Sequence, residues 1–178
     1  MTIISIMLFI TSNNNKFSEA QRLIPGLEQR SLELDEIQSL DLREIVEHKL
    51  AQAFSIAGKP CIVEDVSLEI ADLGGMPGPF VKYFAKALGQ EGVARLSKGS
   101  VAKALCCIGY HDSSTTHLFI GEMTGTITTP QGVGFGFDVI FVPQGETKRV
   151  SELGTEYKQE HSHRARALKK LLEHLNGR

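Results

Sequence analysis

The sequence has no tryptophan, few other aromatic residues and no strong charge of either sign. Phe and Tyr make up 7% of its 178 residues, and the formal net charge is −2. A charge this close to zero argues against a general nucleic-acid or membrane-surface binder. The longest apolar run, Ile3–Ile10, is too short to span a membrane and lacks the basic flank and cleavage site of a signal peptide.

Cysteine is also scarce, and its positions lack the spacing of metal ligands. Cys61, Cys106 and Cys107 predict reduced, mostly buried thiols in a cytoplasmic protein. No Ser-His-Asp or Cys-His combination has the local sequence context of a covalent catalyst. The length and ordinary composition predict one globular domain over residues 1–178, without repeats or linkers.

The start of the chain combines a strand, a polar turn and a helix in a pattern that suits an anion. Ile3–Ile10 predicts a strand covered on both faces. Helical spacing begins at Phe17, directly after the polar turn Thr11–Lys16. Free backbone N–H groups at a helix start, with a lysine beside them, favour phosphate. An Asn-capped helix with a surface lysine explains the same residues.

A second predicted helix carries a lysine at the edge of its apolar stripe. Ser31–Leu34 alternates polar and apolar residues and predicts a short strand, after which Glu36 lies in a loop. Asp41 has the position of a helix cap. Lys49 follows two turns later, where its side chain either extends to water or reaches over the rim of a cleft.

The middle of the chain holds two adjacent carboxylates. Cys61–Val63 predicts a short buried strand that ends at Glu64 and Asp65, with the two side chains on opposite sides. Such carboxylates are solvated loop residues or, at the mouth of an α/β site, metal ligands. The loop Leu73–Pro79 is rich in Gly and Pro, and Lys82 then lies in the first turn of a helix.

The C-terminal half supplies a hairpin, an aromatic loop and a capped helix. Val101–Tyr110 and Thr116–Glu122 predict an antiparallel hairpin. Phe135–Asp138 is interspersed with glycine and precedes a predicted strand, Val139–Val142. That loop suits either a flat ligand or an ordinary aromatic turn. Ser162 is the predicted cap of the last helix.

The polar residues without a core role form a chemical set that fits a nucleoside triphosphate. Such a ligand carries about four negative charges, needs cations at its phosphates and binds Mg²⁺ that only one or two protein carboxylates hold. The set consists of Asn13, Lys16, Glu36, Lys49, Asp65, Lys82, Asp138, Lys158, His163 and Arg164.

Several of these residues belong to short motifs that resemble one family, the inosine triphosphate pyrophosphatases or Ham1-like non-canonical purine NTP pyrophosphatases. The resemblance extends from Thr11 to the last helix. Each motif is weak alone, but their joint order and spacing are specific. The motifs are Thr11–Lys16, Glu36–Gln38, Glu64–Asp65 with the following Leu73–Gly78, Phe135–Asp138 and Ser162–Arg164.

The resemblance implies a two-lobed mixed α/β fold around a long, twisted sheet, with the nucleotide site in the cleft between the lobes. It implies Mg²⁺-dependent hydrolysis of ITP, dITP and XTP to the nucleoside monophosphate and pyrophosphate, commonly by a homodimer. Asp65 would orient or deprotonate the attacking water and, with Glu36, bind Mg²⁺. The substrate would contact Thr11, Ser12, Asn13, Asn14, Asn15, Lys16, Lys49, Lys82, Phe135, Gly136, Phe137, Asp138, Lys158, His163 and Arg164, the last two at the base.

Departures from the family pattern bear on turnover and substrate preference. Val66 replaces the usual Ser or Thr, so a phosphate-side hydroxyl is missing or comes from Ser67. Val139 replaces a proline, and the Asn usual after Lys158 is absent. Two alternatives therefore stay open: a Maf-like pyrophosphatase of other modified nucleotides, and a nucleotide-binding module with little catalysis. A nucleic-acid binder, the third, would show strongly salt-dependent binding to oligonucleotides.

Overall fold

A mixed seven-stranded sheet forms the centre of the protein in the computed structural model, which describes residues 7–177. The strands are β1 (Met7–Ile10), β2 (Leu27–Arg30), β3 (Cys61–Ile70), β4 (Pro77–Gly78), β5 (Val101–His111), β6 (Thr116–Ile127) and β7 (Phe141–Pro143). The helices in the same range are α1 (Asn14–Leu23), α2 (Leu42–Ala57), α3 (Val81–Ser97), α4 (Val150–His161) and α5 (His163–Asn176). Short 3₁₀ turns span Ala71–Leu73 and Gly136–Val139.

The strand order is β2-β1-β3-β5-β6-β7, with β4 paired to β3. β1 runs parallel to β2 and β3, whereas the other pairs are antiparallel. The predicted first strand is confirmed for Met7–Ile10, and its residues 3–6 lie outside the described residues. Between residues 7 and 177, no helix is long and apolar enough to cross a membrane.

The central strand β3 is longer than predicted, and this changes where its carboxylates lie. The prediction ended the strand at Glu64 and Asp65, but β3 continues to Ile70 and pairs with β5 along its whole length. The two carboxylates therefore lie in the middle of the strand and not at its end. The apolar residues that continue the alternation, Leu68 and Ile70, are fully buried and explain the extension.

Two other strand predictions are wrong. The segment Ser31–Leu34 has no regular structure, because the strand that pairs with β1 lies earlier, at Leu27–Arg30. The predicted strand Val139–Val142 begins only at Phe141. Its first residue ends the 3₁₀ turn Gly136–Val139, in which the backbone N–H of Asp138 donates to the carbonyl of Phe135.

The predicted hairpin and helix caps are confirmed. β5 and β6 pair in register over the predicted residues and beyond them. Asn13, Asp41 and Ser162 each accept hydrogen bonds from backbone N–H groups of the helix that follows. These local signals succeed because the cap and its partners lie within three residues of each other.

The core is divided in the way that a two-lobed α/β fold requires. One cluster packs α3 and α4 against the C-terminal half of β3, around Leu68 and Ile70. At the other end of β3 the two faces separate: Ile62 packs towards α1 and α5, whereas Cys61 and Val63 pack towards α2. The predicted two-lobed mixed α/β architecture is confirmed. The same alternation directs Glu64 to the α1/α5 face and Asp65 to the α2 face.

Strand β6 approaches the start of α5 closely at a glycine. A Cβ atom on Gly121 would lie 1.9 Å from the carbonyl oxygen of His163 and 2.5 Å from the backbone nitrogen of Ala167. Backbone atoms cannot move aside as a flexible side chain could. Glycine at position 121 therefore sets the distance between the sheet and the helix that begins with His163.

We expect Gly121→Ala to lower the free energy of unfolding by about 3 kcal/mol, because the added methyl group forces α5 away from the sheet. Urea unfolding followed by circular dichroism measures this change. Gly177→Ala is the matched control, since its Cβ would meet no atom closer than 3.4 Å. Equal stability of the two variants would contradict the proposed contact.

Candidate active site

A cavity of about 660 Å³ opens where the two lobes meet. Its lining comes from the turn into α1, residues 31–34 and 36, and the middle of β3. The start of α3, the 3₁₀ turn Gly136–Val139 and the start of α5 complete it. The volume is in the range of small-molecule binding sites.

Most of the predicted site residues line this cavity. They are Thr11, Ser12, Asn13, Lys16, Glu36, Lys49, Asp65, Lys82, Phe135, Gly136, Phe137, Asp138, His163 and Arg164. Three predicted residues do not: Asn14, Asn15 and Lys158. Asn14 instead accepts a hydrogen bond from the side chain of Gln29, and Lys158 contacts Asp138 from behind the cavity wall. Which of these residues contact a ligand remains a prediction.

The turn into α1 differs from the predicted anion site in one respect. The side chain of Asn13 accepts the backbone N–H groups of Asn15 and Lys16, each at 3.1 Å. The N–H of Asn13 itself donates to the Oγ1 of Thr11. Because these amides already have partners, the charge of the Lys16 ammonium is the stronger feature that this turn presents to an anion.

Asp65 lies between two ammonium groups. Its Oδ2 is 2.7 Å from the Nζ of Lys49, and its Oδ1 is 3.9 Å from the Nζ of Lys16. Lys49 also approaches Glu36 at 3.5 Å, and Glu36 in turn lies 3.6 Å from Lys82. Burial is the largest single influence and lowers the pKa of Lys49. Attraction and hydrogen bonding to Asp65 and Glu36 together outweigh it, so the pKa lies above its usual value.

Glu64 is a site residue that the sequence interpretation missed. It faces away from Asp65, as predicted, yet it lines the cavity and binds Arg164 through two hydrogen bonds of 2.8 and 2.9 Å. Lys16 lies 3.4 Å from it. Burial raises the pKa of Glu64, but the positive charges of Arg164 and Lys16 have the larger combined effect and lower it to about 2. Arg164 was the signal in the sequence that could have pointed to Glu64, because a buried guanidinium requires a buried anion.

Glu19 is a second missed residue and connects three helices. From α1 it forms ion pairs with Lys158 on α4 and with Arg164 on α5. Lys158 also binds Asp138 at 2.7 Å. Burial raises the pKa of Asp138, and attraction to Lys158 offsets only part of this shift. Glu19 and Lys158, which do not line the cavity, thus hold Asp138 in the segment Phe135–Asp138, which we term the aromatic turn.

These contacts join into one alternating sequence of charges, which we term the charge chain. Every neighbouring pair in it lies within ion-pair distance, and the five cations balance the five carboxylates. A charged ligand that enters the cavity therefore meets groups that already have partners of opposite charge. In order, its members are Asp138, Lys158, Glu19, Arg164, Glu64, Lys16, Asp65, Lys49, Glu36 and Lys82.

His163 contributes a neutral ring to the cavity. Burial, followed by repulsion from Arg164, lowers its pKa to about 3. Its Nδ1 is buried and has no hydrogen-bond partner within residues 7–177. The ring lies 5.5 Å from that of Phe137. A neutral imidazole with an unused nitrogen can donate to or accept from a ligand, depending on its tautomer.

The hydroxyl group missing at Val66 is not replaced by its neighbour. Val66 lines the cavity, but Ser67 is fully buried and does not. The Oγ of Ser67 has no hydrogen-bond partner in the described range of the chain. The cavity is therefore apolar at this point of β3.

The three cysteines take no part in the site. All are buried and free. Burial raises the pKa of Cys61 to about 11 and that of Cys107 to about 12. The thiolate, which is the nucleophilic form, is therefore scarce near neutral pH. Buried, reduced thiols agree with the prediction from the sequence.

The long mixed sheet, the two lobes and the charged cavity define the class as a two-lobed mixed α/β protein. Comparison of the sequence with known families identifies the family within this class. The model of the Ham1 family matches residues 7–174, and the chain belongs to this family. It is similar to the dITP/XTP pyrophosphatase of Methanopyrus kandleri, with 37% identity over 177 residues and 94% of each chain covered. The inosine triphosphate pyrophosphatase of Scheffersomyces stipitis is 35% identical, over 96% of this chain and 98% of that protein.

Solved structures agree with the fold. A HAM1 protein from Coxiella burnetii superposes with a TM-score of 0.82 at 25% identity, covering 97% of this chain and 98% of that one. The Ham1 protein of Staphylococcus aureus gives a TM-score of 0.77 at 23% identity, over 96% and 98% of the two chains. The architecture is therefore shared over almost the whole length.

We expect Glu64→Gln to cost about 3 kcal/mol at neutral pH, because it leaves Arg164 and Lys16 short of one buried counterion. The folded-state pKa near 2 lies below the usual 4.5. Ionised Glu64 therefore stabilises the fold above about pH 4.5, and this contribution is lost as the pH falls towards 2. Urea unfolding at several pH values should show a shallower acid dependence below pH 4.5 in the variant.

Glu122→Gln is the control for this measurement. It removes a carboxylate from an exposed pair with Lys103, in which both side chains are more than 40% exposed. Such pairs contribute about 0–1 kcal/mol. If Glu64→Gln retained the wild-type slope below pH 4.5, the buried pair would not be the source of acid sensitivity.

Proposed function

We propose that this protein hydrolyses non-canonical purine nucleoside triphosphates, namely ITP, dITP and XTP, to the monophosphate and pyrophosphate, with Mg²⁺ as cofactor. The names of its relatives in Methanopyrus kandleri and Scheffersomyces stipitis support this activity. The single observation that carries it is the pair of carboxylates, Glu36 and Asp65, that share the ammonium of Lys49 in the cavity. Cations for a triphosphate and anions for a metal thus lie side by side.

The carboxylates fit Mg²⁺ by their chemistry. Mg²⁺ is usually bound by only one or two protein carboxylates, and Glu36 and Asp65 face one common cation position. No cluster of three or more His, Cys, Asp and Glu side chains that could hold a metal occurs between residues 7 and 177. Water and phosphate oxygens would therefore supply the remaining ligands. Bound Mg²⁺ would neutralise charge on the phosphates and polarise a water molecule.

The protein's own groups divide the remaining work. Asp65 would orient the attacking water and accept its proton, while the water oxygen bonds to the α-phosphorus. The bond from that phosphorus to the bridging oxygen breaks, and its electron pair leaves with pyrophosphate. The ammonium groups of Lys16, Lys49 and Lys82 would stabilise this leaving charge.

At the other end of the cavity, the aromatic turn and α5 would receive the base. The ring of Phe135 lies 5.8 Å from the guanidinium of Arg164 and 5.9 Å from the ammonium of Lys158. The Arg164 side chain is only 4% exposed and is held by two hydrogen bonds to Glu64, so we assign it to holding the wall and His163 to contacting the base. A protein N–H that donates to the 6-carbonyl of hypoxanthine or xanthine would have no acceptor when adenine, with its 6-amino group, is bound instead.

Assembly and location are part of the same proposal. We propose a homodimer, which light scattering after size-exclusion chromatography would detect. The three buried, reduced cysteines are compatible with the reducing cytoplasm, where we place the protein.

A substrate panel tests the activity. With Mg²⁺ present, ITP, dITP and XTP should give monophosphate and pyrophosphate. ATP should react roughly 10⁴-fold more slowly, because its 6-amino group leaves the hydrogen-bond donor of the site unpaired. Ion-exchange chromatography separates the products. Release of orthophosphate, or equal rates for all bases, would contradict this function. Tight ITP binding without products would identify a nucleotide-binding module instead.

Asp65→Asn should lower kcat by about 10²–10⁴-fold, because the amide cannot accept the proton of water. Circular dichroism should show an intact fold. Asp72→Asn is the matched control, since Asp72 is exposed and does not line the cavity. Turnover near the wild-type rate in Asp65→Asn would remove Asp65 from this role.

A further inference from the structure

The position between Glu36 and Asp65 is already held by a cation of the protein itself. The Nζ of Lys49 lies 2.7 Å from Asp65 and 3.5 Å from Glu36. The Lys49 side chain is only 12% exposed, and that of Asp65 is 22% exposed. The ammonium and a divalent cation would compete for the same carboxylate oxygens, because two cations bound side by side there would repel each other.

Lys82 competes much less with a metal for these carboxylates. It approaches Glu36 at 3.6 Å, but its side chain is 70% exposed and the pair is screened by water. Lys16 lies 3.9 Å from Asp65 and is nearer to Glu64, at 3.4 Å. Lys49 is therefore the cation that a metal must displace from both carboxylates.

We propose that Lys49 is an exchangeable internal cation that makes metal binding depend on the nucleotide. Without nucleotide, its ammonium is paired with both Glu36 and Asp65 and keeps divalent cations weakly bound. When a triphosphate enters, its oxygens give the ammonium a new anionic partner and leave the carboxylates to the metal. This inference rests on the proposed function, because it takes the triphosphate as the incoming anion.

The exchange conserves the pairing of charges. Before binding, each carboxylate has an ammonium partner in the charge chain; afterwards, the metal takes that place and the ammonium faces phosphate. The lysine stem has four flexible carbons, so its head group can move while α2 stays in place. By linkage, whatever the nucleotide adds to metal affinity the metal adds to nucleotide affinity. The metal and the triphosphate would then bind as a unit.

The test measures metal binding in the absence of nucleotide. Mn²⁺ is the probe, since it takes the same oxygen ligands as Mg²⁺ and its free form is quantified by electron paramagnetic resonance. Lys49→Met should bind Mn²⁺ at least about tenfold more tightly than the wild type, because the competing charge is gone. Lys49→Arg keeps the charge and should bind Mn²⁺ as weakly as the wild type.

Two further variants keep the test decisive. Lys49→Gln also removes the charge but retains an N–H donor for Asp65, and it should show the same tightening if Lys49→Met folds poorly. Lys103→Met removes a lysine from the exposed pair with Glu122, outside the cavity, and should leave Mn²⁺ affinity unchanged. Equal Mn²⁺ affinity in the wild type and both neutral variants would overturn the exchange. Equal tightening in Lys103→Met would overturn it as well.

The outcome is separable from that of the proposed function, because Mn²⁺ titration requires no turnover. Absence of ITP hydrolysis by the wild type would reject the function while the Mn²⁺ affinities could still differ. Normal hydrolysis with unchanged Mn²⁺ affinities would reject only the exchange.

Discussion

The buried pair between Glu64 and Arg164 is the interaction on which the rest of the site depends. It links the middle of the central strand to the first turn of the last helix, with both side chains almost fully inaccessible to water. A buried charge without a partner is costly, so neither residue can leave its place while the protein is folded. Lys16 and Glu19 attach to this pair, and through them the charge chain reaches both ends of the cavity.

The long strand β3 explains why two adjacent carboxylates can have different roles. Because side chains alternate across a sheet, Glu64 faces α1 and α5, whereas Asp65 faces α2. One side of the strand therefore fixes the structure and the other presents the carboxylate that we assign to catalysis. Pairing with β5 along the whole strand keeps this division rigid.

Local features could be predicted from the sequence, and long-range ones could not. Asn13, Asp41 and Ser162 were recognisable as caps because their partners are close in the chain. Glu19 and Glu64 were missed because their partner, Arg164, is 145 and 100 residues away. The end of β3 was misplaced for a related reason: the acidic pair resembles a loop until β5 supplies the hydrogen bonds. Motif order gave the family, but the pairing of charges came only from the structure.

The three cysteines have a consequence for how this protein can be handled. Thiols that are buried and hold their protons near neutral pH react slowly with alkylating agents and oxidants. A single cysteine introduced at an exposed position would therefore be labelled selectively with the native residues in place. Fluorophores or spin labels on the two lobes could then report distances across the cavity without a cysteine-free background.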